Sequence, residues 1–532
     1  MAAAAVLVGT LAMTMPAGAG TSRPESKPGS DTKDSPPADR GAQAEEQWRS
    51  YWADSFNTGY KTPAQVDKLV ADAEAVGANA LIVQVGRNMD CFCNDASFPR
   101  TDDPAVDPAP FDPLRDVVQK AHAAGIEVHA WVNATIFWRT EQAPQDPDHV
   151  FHSHGPDATG EDRWLNKRED GTEAVDGIRY FLDPANPAAT DYFTDGVASL
   201  LENYDIDGIN LDYIRYPDYN SDETRSEWGY SETSIARFQE ATGRTDIPEP
   251  GDQEFSDWRR DQVTSFVRKI YLRMYELKPA ARLSINGITY GNGPQATEGG
   301  YQSTRTYANV LQDWKGWLSE GIVDTVITMN YKRQHDAAQS EMFAEWNEFT
   351  ADNQAERSAV TGPGIYLNSV QSSLEQAAVA LSPTAAGNQV IGWSGYAYAT
   401  PSMDAADDPG LADDERTALA DGLRADLFAE PATVPEMPWK SEPSAGHLRA
   451  TLQLDDGTAL DQVRVTAIDP STGEQATTRT DGTGQAGFVD LAPGRYRVEV
   501  ELPDHVVGPR STTVRVTAGE LAEAGFDSFQ QP

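Results

Sequence analysis

The run DGINLDYIRYP at residues 207–217 carries the reading of the whole chain. Tyr204 and Asp205 precede it and Tyr216-Pro217 close it, so the stretch between predicts a short strand over 206–211. Side chains alternate across a strand, which puts Ile209 and Leu211 on one face and Gly208, Asn210 and Asp212 on the other. A polar face on a buried strand is costly unless it lines a site or is fully hydrogen-bonded. Asp212 is delivered at the strand's C-terminal end and is the first candidate for chemistry. Asp207 starts the strand at the opposite end and reads as structural, as does Asp324.

Outward from this run, strands and helices alternate. Asn186 caps a helix begun by Pro187, with Phe193, Val197, Leu200, Leu201 and Tyr204 at amphipathic spacing, and it leads straight into the central strand. Before it, the pattern predicts strands over 51–56, 78–85 and 126–133, with helices over 63–76 and 113–124. After it come strands over 283–287, 323–330, 360–367 and 389–393, with helices over 262–277 and 307–319. Eight strands each followed by helical sequence argue for an α/β fold, a (β/α)8 TIM barrel, and no Gly-rich phosphate loop follows the first strand as a doubly wound sheet would require. The barrel region, 47–429, exceeds the roughly 250 residues of a plain barrel. Its excess sits at 134–185 and 218–261, both after strands, so these are long βα-loop insertions over the C-terminal rim.

The flanking segments differ in character. Residues 1–19 are an apolar run ending in Ala17-Gly18-Ala19, the pattern of a signal peptide, which implies a secreted protein; the run is too short and interrupted for a membrane span. Residues 20–46 are rich in Pro, Ser, Asp, Lys and Gly and read as a disordered tether. A Pro-rich linker over 430–445 leads to 446–528, where short alternating runs separated by Asp456-Gly457, Asp481-Gly482 and Pro493-Gly494 predict a small β-sandwich. With 83 acidic against 42 basic side chains, the net charge of -41 excludes a nucleic-acid partner. The two cysteines, Cys91 and Cys93, form either a strained local disulfide or two quiet thiols, since no second pair completes a metal site.

The inward parity of the barrel strands turns polar toward the C-terminal rim. Candidate ligand-binding residues are Gln84 and Arg87 on and after the second strand, His129, Trp131 and Asn133 on the third, and Asn210 with Arg215 around the fourth. Asn286, Asn330, Tyr331 and Trp393 extend the set around the rim, with Ser284, Thr328, Tyr366 and Asn368 beside them. Amides, hydroxyls and indoles around a carboxylate suit a polyhydroxylated ligand, and they call for neither a metal nor a cofactor. Cleavage of a glycosidic bond ordinarily needs two carboxyl groups. Asp212 is one; Asp90, beyond the second strand, and Asp183, before Pro187, are the candidates for the other, with Glu298 a further one.

Five stretches carry a family resemblance: DGINLDYIRYP, HAWVN (129–133), FLDPANP (181–187), QDWKGWLSEGIVDTVITMNY (312–331) and GWSGYAYA (392–399). Together they resemble the glycosyl-hydrolase-like family 10, bacterial and often exported barrel proteins. The C-terminal region resembles carboxypeptidase regulatory-like, transthyretin-type domains. The resemblance implies a glycoside hydrolase acting on a polysaccharide such as peptidoglycan glycan or another N-acetylated polymer, with Asp212 as the family's carboxylate after the fourth strand. Asp90 falls where relatives carry Gly-Asp-Ala, but here Met89 and Cys91 flank it. The alternative expectation is a non-catalytic cell-wall or polysaccharide-binding protein using the same groove, with the sandwich as the means of wall association.

Overall fold

The structure, a computed structural model, describes residues 45–531; the expected signal run at 1–19 and most of the tether lie outside the described residues. Eight parallel strands close into a barrel in chain order: β1 (Trp48–Ala53), β2 (Ala80–Gly86), β3 (Glu127–Asn133), β4 (Gly208–Asp212), β5 (Arg282–Ile288), β6 (Thr325–Asn330), β7 (Ser358–Pro363) and β8 (Gly392–Gly395). Closure is made by β8 on β1, with Gly392 opposite Trp48. Helices form where their end signals stand. Thr62 accepts from the Gln65 N–H and Gly77, at φ 79°, stops the helix Pro63–Val76, while Asn186 accepts from the Ala189 N–H ahead of the helix Pro187–Asn203.

Several boundaries differ from the sequence expectation for local reasons. β1 starts three residues earlier than 51, because Trp48 pairs with Ile391 and Asp54 ends the strand by accepting from the Phe56 and Asn57 N–H groups at 2.9 and 3.0 Å. β7 ends at Pro363, and Ile365–Leu367 is a 3-10 turn, so Tyr366 and Asn368 stand beyond the strand. The helix expected over 307–319 divides into Arg305–Ala308 and Trp314–Glu320, with Leu311 between them at φ 55°.

The barrel interior is stacked in levels. At the N-terminal end Trp48 meets the His129 ring at 4.9 Å, and Arg282 lies over Trp48 and donates to Thr325 at 2.7 Å. His129 also pairs with Glu127 at 3.2 Å, so it belongs to this floor and not to a ligand site. Midway, Asn210 donates to Ser284 at 2.9 Å and Ser50 to Ser394 at 2.8 Å, among Ile82, Ile327 and Val360. Above them Trp52 and Trp131 form a broad apolar shelf. Gly362 makes room for it, since a Cβ there would stand 2.4 Å from the Trp52 ring.

Two strands face the other way from the sequence reading. On β6 the inward residues are Thr325, Ile327 and Met329; Asn330 instead donates to the Phe343 carbonyl at 2.9 Å in the surrounding helix Ala337–Asp352. On β8 Trp393 packs outward against Tyr51 and Phe428, and Ser394 faces in. The Asn330 N–H is satisfied by a helix carbonyl and the Trp393 ring by packing, with its Nε1 left without a partner among the described residues, and the rule "polar means inward" foresees neither.

The two insertions interlock over the rim. Arg168 pairs with Glu227, and Asn166 accepts from the Gly229 N–H at 2.9 Å. Asp183 is 1% exposed and accepts from the Ala185 N–H, Ser231 and Ser234. It is therefore a structural clamp between insertions and not a catalytic acid.

The C-terminal domain stacks a three-stranded sheet on a four-stranded one around its own core, which includes Leu448, Val465, Phe488 and Val498. The Pro-rich segment before it is packed and hydrogen-bonded. It runs across the N-terminal mouth of the barrel, where Arg49 donates to the Glu430 carbonyl and Arg282 to that of Pro435. Asp324, fully buried, accepts from Trp439 Nε1 at 2.7 Å, from Lys440 Nζ at 2.6 Å and from the Leu283 N–H at 2.7 Å. The sandwich then docks through Arg357–Asp490 at 2.6 Å and Arg237–Asp461 at 2.7 Å.

Breaking a buried ion pair on one side leaves the other charge stranded. Lys440→Met should therefore cost about 3–5 kcal/mol in denaturant unfolding, whereas Lys440→Met with Asp324→Asn should recover much of it. His447, at the same interface, accepts from the Asp490 N–H through Nδ1 and is held neutral, burial pushing its pKa down to about 4. The unfolded chain binds that proton near the ordinary 6.5. Stability from the neutral ring is thus complete above about pH 6.5 and drains away toward pH 4, a loss on the order of 3 kcal/mol. Urea midpoints at pH 7 and 4.5 should fall less for His447→Gln than for the natural protein.

Candidate functional site

Above the indole shelf the barrel opens into a cavity of about 350 Å³ at its C-terminal mouth. Asp212, the last residue of β4, forms one wall, and Trp52, Trp131, Tyr331, Tyr366 and Tyr396 form the apolar ones. Tyr396 stacks on Tyr331 at 5.2 Å and meets Trp52 edge-on at 6.0 Å. Flat rings of this kind present the surface on which sugar faces pack.

Asp212 is 5% exposed and accepts from the Tyr213 N–H at 2.7 Å. Burial raises its pKa, against that N–H, the Arg215 guanidinium, the Asn286 amide and Arg139, which pull it down. The net direction is upward, so the site favours a protonated carboxyl more than water does. Tyr213 itself sits at φ 50°, a left-handed conformation costing about 1–3 kcal/mol. Thr135 holds it there by donating to the Tyr213 and Arg215 carbonyls at 2.5 and 2.9 Å. The turn carries the Tyr213 ring between two guanidiniums, Arg215 at 4.6 Å and Arg139 at 5.8 Å.

Of the residues nominated from sequence, the cavity brings together Asp212, Gln84, Trp131, Arg215, Asn286 and Tyr331. Gln84 accepts from the Ser55 N–H and hydroxyl at 3.0 and 2.7 Å. Asn133 stands one step behind: its Oδ1 accepts from Trp131 Nε1 at 3.1 Å and from Gln84 Nε2 at 3.3 Å, so it positions both. Asn210 lies a level below the cavity, among its barrel neighbours. Arg87 and Asp90 line a separate groove with Trp138 and His149. There Asp90 accepts from the Arg87 and Asn88 N–H groups at 3.2 and 2.8 Å, capping its own turn, and Arg87 faces Asp103 at 3.7 Å. Asp90 is thus absent from the Asp212 cavity, as are Asp183 and Glu298. Cys91 and Cys93 are bonded to each other beneath that turn.

Sequence reasoning missed Trp52, Arg139, Tyr290, Met329, Lys332 and Tyr396. Tyr396 was within reach, being two residues beyond inward-facing Ser394 in GWSGYAYA. Trp52 would have followed from a correct start of β1. Arg139 comes from an insertion hairpin, and nothing in its spacing points to the mouth. Lys332 is 7% exposed, its Nζ donates to the Thr289 carbonyl at 2.7 Å, and burial lowers its pKa to about 8.

The chain is thus a closed parallel barrel whose C-terminal mouth holds a buried carboxyl inside a wall of aromatic rings. Residues 47–379 match the family described as Glycosyl hydrolase-like 10, and the chain belongs to that family. Residues 448–527 match the carboxypeptidase regulatory-like domain. Glycosyl hydrolase YngK of Bacillus subtilis is 25% identical over 389 residues, covering 70% of this chain and 68% of that protein. Glycosyl hydrolase DigH of Escherichia coli is 22% identical over 254 residues, 44% of this chain and 50% of its own length. Among solved structures, the PgaB (BpsB) glycoside hydrolase domain from Bordetella bronchiseptica aligns over 70% of this chain and 99% of that one, at 12% identity and a TM-score of 0.48.

Because burial raises the Asp212 pKa, its ionisation at neutral pH opposes folding. Asp212→Asn should therefore show a higher denaturation midpoint than the natural protein at pH 7. The gap should close as the pH falls below the ordinary carboxylate range, where both side chains are neutral.

Proposed function

We propose that the protein is an exported glycoside hydrolase that cleaves an N-acetylated polysaccharide of the peptidoglycan-glycan or chitin-like kind. The observation that carries this reading is the Asp212 carboxyl, its protonated form favoured by burial, on the wall of an aromatic-lined cavity at the barrel mouth. Asp212 is the general acid: it gives its proton to the glycosidic oxygen as the bond from that oxygen to C1 breaks. Among the described residues no second carboxyl lines the cavity. The acetamido oxygen of the substrate then takes the nucleophile's part, bonding to C1 and forming an oxazolinium ring. Water opens that ring at C1 and returns a proton to the Asp212 carboxylate, which restores the acid and the acetamido group.

The missing second carboxyl also favours one other reading, a glycan-binding protein that keeps the groove without the chemistry. Export rests on the apolar run at 1–19, and attachment to the wall on the sandwich domain.

Purified protein offered peptidoglycan glycan strands, chitin-type oligomers and galactosamine polymers should release reducing ends from at least one N-acetylated polymer. The same polymer without its acetyl groups should be inert. Asp212→Asn should lose about 100-fold or more in kcat. Undiminished release by that variant would remove Asp212 from the mechanism, and binding without release by the natural protein would establish the second reading.

A further inference from the structure

The loop that leaves β4 carries a charge at every third position. Asp212 ends the strand, Arg215 follows three residues on and Asp218 three beyond that. Asp212 and Arg215 line the cavity, while Asp218 stands one contact behind it, 3.6 Å from Arg215. The other Asp218 oxygen accepts from the Tyr290 hydroxyl at 2.7 Å, and Tyr290 is again part of the cavity wall. One guanidinium thus faces both acids, but their surroundings drive them apart. Burial takes the Asp212 pKa up against the pull of its neighbours. Burial pushes Asp218 the same way, yet there the pull of Arg215 and of the Tyr290 hydroxyl prevails and leaves it below the ordinary carboxylate value. Two carboxyls whose pKa values move in opposite directions divide into a proton donor and a standing anion.

That anion fixes the polarity of one hydroxyl. Tyr213, Tyr290, Tyr331, Tyr366 and Tyr396 line the cavity, and among the described residues only the Tyr290 hydroxyl of these has a hydrogen-bond partner. Burial, with Asp218 behind it, raises the Tyr290 pKa, so the phenol keeps its proton and commits it to Asp218. What the oxygen has left to offer is lone pairs. A phenol that donates to a carboxylate is also a stronger acceptor than a free one, since hydrogen bonds in series polarise one another. Sugar hydroxyls donate or accept and do not call for such a partner. An acetamido N–H can only donate, and it becomes a stronger donor as its carbonyl oxygen bonds to C1 and positive charge spreads onto nitrogen.

We propose that Tyr290 is a catalytic residue that accepts the N–H of the substrate's acetamido group, with Asp218 as the positioning residue behind it. The role rests on the hydrolase reading above, in which the acetamido oxygen is the nucleophile. As Asp212 gives up its proton and that oxygen bonds to C1, the hydrogen stays on nitrogen and its bond to the Tyr290 oxygen tightens. The Asp218 carboxylate offsets the new positive charge through the phenol. When water opens the ring the amide is neutral again, and the hydrogen bond relaxes. An interaction stronger in the transition state than in the bound substrate lowers the barrier and leaves binding little changed. The second carboxyl that the cavity wall lacks is in this way present one hydroxyl removed.

The test uses the N-acetylated polymer that the natural protein cleaves. Tyr290→Phe, which keeps the ring, should lose about tenfold to a hundredfold in kcat, the worth of a hydrogen bond to a charged group, with KM nearly unchanged. A thiazoline made from that polymer's own amino sugar, whose protonated ring nitrogen reproduces the oxazolinium N–H, should inhibit the natural protein about tenfold or more better than Tyr290→Phe. Around Asp218 the charged and titratable groups are Arg215, Tyr290 and Tyr213, with Arg305 over the Tyr290 ring at 4.9 Å. Asp218 has to be ionised and Asp212 protonated, so kcat/KM should rise with pH through the depressed Asp218 pKa and fall through the raised Asp212 pKa. The rising limb should vanish in Asp218→Asn and in Tyr290→Phe, a change that lost packing alone would not produce. Since the two side chains act as a unit, the double variant should be no slower than the slower single one. Undiminished kcat or undiminished thiazoline inhibition in Tyr290→Phe would overturn the role of Tyr290 and leave the hydrolase reading standing, as would a rising limb that persists in both variants. Release of no reducing ends by the natural protein would remove both.

Discussion

A closed barrel leaves alternate side chains nowhere to go but its interior, and that interior has a fixed width. The rest of the molecule follows from how this chain fills it. Trp48, Trp52 and Trp131 occupy so much of the lower and middle levels that no channel remains, and their upper surface becomes the floor of a cavity. Small residues are placed to match. Gly362 yields to Trp52, and Gly208 leaves room for His129, whose ring would stand 2.3 Å from a Cβ there. The cavity is therefore the volume that the tryptophans leave over at one end, and the insertions raise its walls.

Much of this was legible in the sequence where strand parity and hydrogen bonding agree. On β3, β4 and β5 the inward polar residues have barrel partners, and the alternation in HAWVN and DGINLD reads directly as geometry. It failed on β6 and β8, because Asn330 finds a carbonyl on the helix side and Trp393 finds a ring there. Parity alone does not say which face has a partner waiting. The second-acid candidates failed for a related reason. Asp90 and Asp183 do stand beside turns near strand ends, but Asp90 Oδ1 caps its own turn and both Asp183 oxygens are taken by the Ala185 N–H and by Ser231 and Ser234. Arg139 and Lys332 lay outside any periodic signal, since the first depends on how an insertion folds back and the second on what covers it.

The site gathers groups that a stable core avoids: a carboxyl out of water, an uncompensated ammonium and a left-handed tyrosine. Neighbours brace the site: Thr135, at the start of the first insertion, holds the Tyr213 turn, and Asn133 on β3 stands behind Trp131 and Gln84. These three gather at the mouth, while in the levels beneath it Asn210 Oδ1, His129 Nδ1 and Arg282 Nε are buried without a partner among the described residues.

At the other end, the segment after the barrel is fastened by Trp439 and Lys440 to Asp324, and the sandwich is tied on by Arg357 and Arg237. That joint has no slack. The sandwich and the mouth therefore hold one set bearing, like the jaws of a caliper fixed in span by the protein's own side chains.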